Sequence, residues 1–114
     1  IHCNAAGNGS DWMSARGWEA WTSVGKTKAD KLATCLYEDA EHCLPGMKMR
    51  KDMADGDLDK ESQFYILRHT NCPAVLTENL FQDNREDVEF LLSERGKMAI
   101  VSLHVWGIMK YLGL

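Results

Sequence analysis

Glu78 is the side chain whose setting in this sequence says most about chemistry. It follows directly on Pro73-Ala74-Val75-Leu76-Thr77, a short apolar stretch led by a proline, which reads as a buried strand starting after a turn. A carboxylate just past such a strand sits at the carboxyl edge of the sheet, where open α/β sheets bind ligands. Partial burial there raises its pKa toward the range of a general base. A helix-capping or ion-paired glutamate at the sheet's rim fits the same pattern, and the pattern leaves both readings open. His2 is the second candidate. It precedes a turn-rich loop, Asn4 to Ser10, that contains Gly7, Asn8 and Gly9. An imidazole at that point is either a metal ligand or a structural histidine. Cys3 is a soft neighbour, but adjacent strand residues face opposite ways, so His2 and Cys3 do not share an ion.

The remaining reactive side chains carry less. His42 falls near a helix C-terminus, where a cation is mildly favoured. His104 lies on the flank of a helical stripe. His69 and Cys72 are close enough in sequence for a nucleophile pair, yet no third group orients them. Trp12, Trp18, Trp21 and Trp106 could form a sugar-stacking surface, with at least two of them expected in the core. None of Cys3, Cys35, Cys43 and Cys72 forms a C-x-x-C pair. Cys35 and Cys43 fall on one helix at a rise of roughly 12 Å, beyond the ~7 Å that a disulfide spans. All four are expected as free thiols.

These residues need a frame to hold them. Trp18 to Thr22 reads as a strand bounded by Gly17 and Gly25. Thr27 to Leu44 is the clearest helix. Ala29, Leu32, Ala33, Leu36, Tyr37, Ala40 and Cys43 recur at helical spacing. Thr27 and Asp30 resemble a capping box, and Leu44-Pro45-Gly46 ends the helix. Residues 48–62 are charged and predict an exposed loop around Asp55-Gly56-Asp57. Phe64 to Leu67 is too short to assign to helix or strand. Asn84 should cap a helix with Val88, Leu91 and Leu92 inward. Ser93 should cap another, with Met98, Val101, Val105, Ile108, Met109 and Leu112 as its buried stripe and Gly113 as its stop. Strands alternating with helices predict an α/β fold, a mixed sheet flanked by helices.

The bulk numbers narrow the function classes. A chain that is 45% hydrophobic and 26% charged is a folded protein rather than a disordered one. A net charge of -4 gives no electrostatic reason for nucleic acid or anionic lipid as partner. No apolar run approaches a membrane span, and no charged-then-apolar signal segment opens the chain. The start at Ile1, with no cap and no initiator Met, reads as entry into the middle of an element.

Several segments together resemble the catalytic domain of the zinc-dependent N-acetylmuramoyl-L-alanine amidases of bacterial cell walls. Ile1-His2-Cys3-Asn4 is similar to the family's Ser-Ile/Leu-His-x-Asn strand end. Arg16-Gly17-Trp18-Glu19-Ala20-Trp21 and Thr27-Lys28-Ala29-Asp30-Lys31-Leu32-Ala33 match its Gly-led strand and following helix start. The most specific match runs from Pro73-Ala74-Val75-Leu76-Thr77-Glu78 to Asn79-Leu80-Phe81-Gln82-Asp83-Asn84. Ala99-Ile100 and Gly107-Ile108-Met109-Lys110-Tyr111 complete it, so the resemblance covers the whole chain.

The resemblance implies a zinc-amidase-like (phosphorylase/hydrolase-like) fold, incomplete at the N-terminus, with residues 1–114 as the C-terminal portion of one catalytic domain. It implies that His2 is the last of three zinc ligands, that Glu78 is the catalytic carboxylate, and that Asn4 orients the edge loop or substrate. It implies hydrolysis of the amide between N-acetylmuramic acid and L-alanine, with peptidoglycan or muropeptide as partner and a periplasmic, wall-associated or secreted bacterial location. The family's Gly-His-Gly turn and ligand Glu have no counterpart here. The chain alone is therefore expected to be inactive, nearly metal-free and prone to pair with a second copy through exposed strand edges. A non-catalytic wall-binding or regulatory module with a decayed zinc site is the alternative. Two departures stand out: Leu80 replaces the family's Gly, which predicts a differently shaped pocket wall, and Asp83 replaces its Ser.

Overall fold

A computed structural model describes residues 1–114. Four strands form one mixed sheet in the order β1-β4-β2-β3: β1 His2–Asn4, β2 Trp18–Thr22, β3 Lys60–Glu61 and β4 Leu76–Phe81. β1 runs parallel to β4, β2 antiparallel to β4, and β3 parallel to β2. The helices are α1 Lys28–Cys43, α2 Tyr65–Arg68, α3 Arg85–Leu92 and α4 Glu94–Leu112. The α/β fold expected from the alternation is the one observed.

α1 begins where its sequence says it should. Thr27 Oγ1 accepts from the Ala29 N–H, and Asp30 accepts from the Thr27 N–H, so orphan donors at both positions are satisfied. Its inward stripe packs Leu36, Tyr37, Ala40 and Leu44 against Trp18 and Ala20 of β2 and Leu103 of α4. Trp18 is fully buried and meets Tyr37 edge to face, with ring centroids 4.9 Å apart. Burying a ring of that size contributes about 2–3 kcal/mol. The four-residue segment whose type the sequence left open falls at α2.

Caps at Asn84, Ser93 and Gly113 are all present. Asn84 accepts from Asp87 N, Ser93 from Gly96 N, and Gly113 takes the left-handed conformation. The apolar faces of α3 and α4 differ from expectation. In α3, Leu92 is exposed and the fully buried residue is Asp87, which accepts from the Gly17 and Phe81 backbone N–H groups and from Arg16. In α4, the expected stripe is turned outward: Met98, Val101, Val105, Ile108 and Leu112 are exposed. Gly96, Leu103, His104 and Gly107 face inward instead. Gly107 explains the choice. A Cβ there would lie 2.8 Å from Leu36 Cδ2, so glycine lets α4 approach α1 closely on that side only.

Residues 48–62 are also more than a solvated loop. Asp59 is 2% exposed and accepts from the Thr22 hydroxyl, Lys60 and Glu61 form β3, and Arg50 and Lys60 turn inward. They do so because a buried carboxylate on β2 requires cations.

Candidate active site

The sheet has two unlike faces. Trp18 and Ala20 point to the helices, so Glu19 between them points to the opposite face. Glu19 lies directly across from Glu78 in the antiparallel β2–β4 pair, and opposed residues share a face. On the other side of β4, His2 is the register partner of Glu78. One strip of sheet thus carries His2, Glu78 and Glu19 side by side.

Glu78 lies inside β4 rather than just after a strand, which corrects the expectation from Pro73 to Thr77. Pro73 has no N–H for a ladder, and pairing begins at Leu76. Glu78 is the third of the six residues of β4 and pairs with His2, the first residue of β1. Its Oε2 is buried and has no hydrogen-bond partner. Burial pushes its carboxyl above the ordinary value, His2 and the chain's amino terminus pull it down, and Glu19 pushes it up. A partially buried carboxylate with a free oxygen can hold a proton and release it.

Glu19 is 2% exposed and fully engaged. Its Oε1 accepts from Asn4 Nδ2 at 2.8 Å and Trp21 Nε1 at 3.1 Å. Its Oε2 accepts from Arg50 Nε at 3.0 Å and Lys60 Nζ at 2.6 Å. Burial alone would raise its pKa; the hydrogen bonds from Lys60, Arg50 and Trp21 and the charge of Lys60 more than reverse this, leaving it below the ordinary value. Reading residues one at a time missed Glu19. The available signal was a lone carboxylate inside Trp18-Glu19-Ala20-Trp21.

Asn4 reaches this strip through Glu19, and Gln82 N donates to its carbonyl at 2.8 Å. His2 is held through its backbone. Asn79 Nδ2 donates to the His2 carbonyl at 2.9 Å, while Asn79 Oδ1 accepts from Trp18 Nε1 at 2.7 Å. Asn79 also bonds Thr77 Oγ1, which lies 2.9 Å from His104 Nε2. His104 Nδ1 is 2.7 Å from the Ile100 carbonyl. A carbonyl only accepts, so Nδ1 carries the proton and Nε2 accepts from Thr77. Burial lowers the His104 pKa. His104 is a satisfied core residue.

Asn79 and Leu80 both face the helix side, which breaks the strand's alternation. Leu80 has φ +65° and is fully buried. It takes the left-handed conformation that a glycine adopts without strain, at a cost to a leucine of roughly 1–2 kcal/mol. Leu80 thus combines a glycine-like backbone with a core side chain.

His69 and Cys72 form no nucleophile pair: the His69 ring stacks on Tyr65 at 4.3 Å, and Cys72 is exposed. All four cysteines are free thiols. Trp18 alone among the tryptophans is fully buried; Trp21 is half-buried, while Trp12 and Trp106 are exposed.

His2 and Glu78 lie side by side across the β1–β4 pair, and no further ligating side chain joins them in a metal-holding set. No group of three or more His, Cys, Asp or Glu side chains is placed to hold a metal ion. Residues 1–114 by themselves do not fit the ion that the resemblance implies.

The comparisons with known proteins decide the family. The sequence profile of N-acetylmuramoyl-L-alanine amidase matches residues 1–110. The chain belongs to the N-acetylmuramoyl-L-alanine amidase family. An endolysin of Bacillus phage SPP1 is 30% identical over all 114 residues, which span 39% of its length. The amidase CwlM of Bacillus licheniformis is 40% identical over 55 residues, 48% of this chain and 22% of CwlM. The crystal structure of an N-acetylmuramoyl-L-alanine amidase from Clostridium difficile 630 superposes with a TM-score of 0.80 at 26% identity. That match covers 97% of this chain and 54% of the other. The chain therefore has the family's fold, and it spans well under two thirds of the length of these relatives.

Proposed function

We propose that the chain is the C-terminal portion of a peptidoglycan amidase catalytic domain, in which Glu78 is the general base and His2 one zinc ligand. The observation that carries this reading is the Glu78 carboxylate: partly buried, unpartnered at Oε2, and side by side with His2 across the parallel β1–β4 pair. The remaining ligands would lie in sequence that the longer relatives have and these 114 residues do not. Zinc, when bound, polarises the scissile carbonyl and acidifies a water. Glu78 would take a proton from the attacking water as the water's oxygen adds to the lactyl carbonyl carbon. It then delivers the proton to the L-alanine nitrogen as the C–N bond breaks. Asn4 and Glu19 hold the end of β1, and so the approach of His2, in place.

We place the substrate, and hence the enzyme, at the bacterial wall, in the periplasm or outside the cell. No helix is long and apolar enough to cross a membrane. The test is zinc content alongside peptidoglycan digestion. The 114-residue chain should bind little zinc after dialysis and release no amines. The enzyme that carries this segment with its upstream half should bind one zinc and lose it in His2→Ala. Stoichiometric zinc that persists without His2 would refute the ligand assignment. A zinc-free complete protein that binds wall without cutting it would favour the non-catalytic module.

The outward face of α4 leads us to expect self-association of the 114-residue chain. Met98, Val101 and Leu112 are each 60% exposed or more, and the open edges of β1 and β3 flank the sheet. Sedimentation velocity at micromolar concentration should show dimers; a clean monomer contradicts this.

A further inference from the structure

Because β1 and β4 are parallel, both chains leave the sheet at the same edge. The segment after β1 and the segment after β4 line an open cavity of about 610 Å³ there, with Asn8, Ser10, Asp11, Trp12, Gln82 and Asp83 on its walls. The cavity is built rather than incidental. Asp83 Oδ2 accepts from the backbone N–H groups of Ala6 and Gly7, both at 2.8 Å. Met13 N donates to the Asp83 carbonyl at 2.7 Å, and Asn84 Nδ2 donates to the Met13 carbonyl at 3.2 Å. A loop without secondary structure is thereby pinned along its length to the end of β4. Asp83 is 8% exposed, and its Oδ1 is buried with no partner, an unmet demand for a donor.

Trp12 stands in this cavity 53% exposed, with the Arg85 guanidinium 5.0 Å from its ring centroid. An indole held by a cation and left half uncovered offers an apolar plate beside polar groups, the mixture that small-ligand sites use. The cavity walls carry Asp11 and Asp83 and no Lys, Arg or His, and the two carboxylates disfavour an anionic ligand. An amine would find Asp11 and Asp83, but Arg85 already occupies the indole and repels a second cation. A neutral ring with C–H faces and many hydroxyls suits the accessible groups: it stacks on Trp12 and donates to the Asp11 carboxylate and the Asn8 and Gln82 carboxamides.

The geometry points to this cavity as a sugar subsite that takes an N-acetylhexosamine of the glycan strand. The inference rests on the amidase reading for the identity of the polymer. Gln82 is four residues beyond Glu78, on the order of 10 Å along the strand. The sugar bound here is therefore a neighbour of the one whose amide is cut, and the subsite sets how the glycan lies across the enzyme.

The experiment is an NMR titration of the 114-residue chain with a β-1,4-linked N-acetylglucosamine tetramer. A stem tripeptide with a free amine is titrated in parallel. The tetramer should saturably shift the Trp12 indole N–H and the Gln82 side-chain amide, and the tripeptide should leave both in place. Trp12→Ala should weaken tetramer binding by at least about tenfold with the remaining backbone spectrum unchanged. Gln82→Ala, at an exposed position, should weaken it as well, and carries the test if Trp12→Ala does not fold. Tetramer binding that is absent, or that is indifferent to both substitutions, overturns the proposal, as does binding of the tripeptide at these two residues. Amide release dependent on Glu78 is read separately, so loss of the subsite leaves the amidase reading standing.

Discussion

Glu19 and Glu78 face each other directly across the β2–β4 pair, yet only Glu19 is neutralised. Four donors converge on Glu19, among them Arg50 and Lys60, while Glu78 Oε2 has none. Two adjacent carboxylates are thus driven apart, one held ionised as a structural hub and the other left able to exchange a proton.

Glu19→Gln should destabilise the fold by roughly 3 kcal/mol, because it leaves Arg50 and Lys60 without their buried counter-charge. Urea unfolding at neutral pH measures this. The sign with pH follows from the lowered carboxyl of Glu19. Its contribution is present above the unfolded pKa and is lost as pH falls through the folded one. The gap between native protein and variant should therefore narrow in acid. A gap below about 0.5 kcal/mol at neutral pH would show that Glu19 is not a hub.

Leu80 yields an inverted ranking of substitutions. Alanine in a strand normally beats glycine. Here Ala keeps the strain of φ +65° and loses the burial, whereas Gly loses the burial and relieves the strain. Leu80→Gly should be more stable than Leu80→Ala by about 1 kcal/mol, and both less stable than the native protein. Thermal unfolding of the pair decides it, and the ordinary ranking would contradict the left-handed assignment.

Asp59 carries the opposite pH signature to Glu19. Burial, with the nearby charges of Asp57 and Asp30, raises its carboxyl to about 6. A raised carboxyl contributes stability below its unfolded pKa and loses it as pH climbs through the folded one. Relative to Asp59→Asn, the native protein should lose roughly 2–3 kcal/mol between pH 4 and pH 7. Parallel denaturation curves across that range would show that Asp59 is solvated or paired.

What the sequence disclosed depended on how far apart the interacting residues lie. α1 was legible because its cap, stripe and stop are local: Thr27 with Asp30, Ala29 to Ala40, then Leu44. Asn84, Ser93 and Gly113 were legible for the same reason. Glu19 was not, because Arg50 and Lys60 lie 31 and 41 residues away. α4 was misjudged because it is apolar on both sides. Periodicity found the row Met98 to Leu112, but the side that packs is chosen by Gly107 against Leu36. β4 was placed too early because its polar middle looked like an exit from the sheet. Thr77 and Asn79 instead bury their polar atoms in a network with Trp18, His2 and His104. His2 and Glu78 were singled out from the residues, given their roles by the family resemblance, and placed side by side by the fold.

Glu78 is the proposed base for hydrolysis of the muramoyl–L-alanine amide. Mass spectrometry of purified peptidoglycan, incubated with the full-length protein and with its Glu78→Gln counterpart, tests this. New L-alanine amino ends on intact glycan strands are expected, with the rate falling at least about 100-fold in Glu78→Gln while zinc content is unchanged. Cleaved sugars in the digest, or wild-type-like amide release by Glu78→Gln, would contradict it.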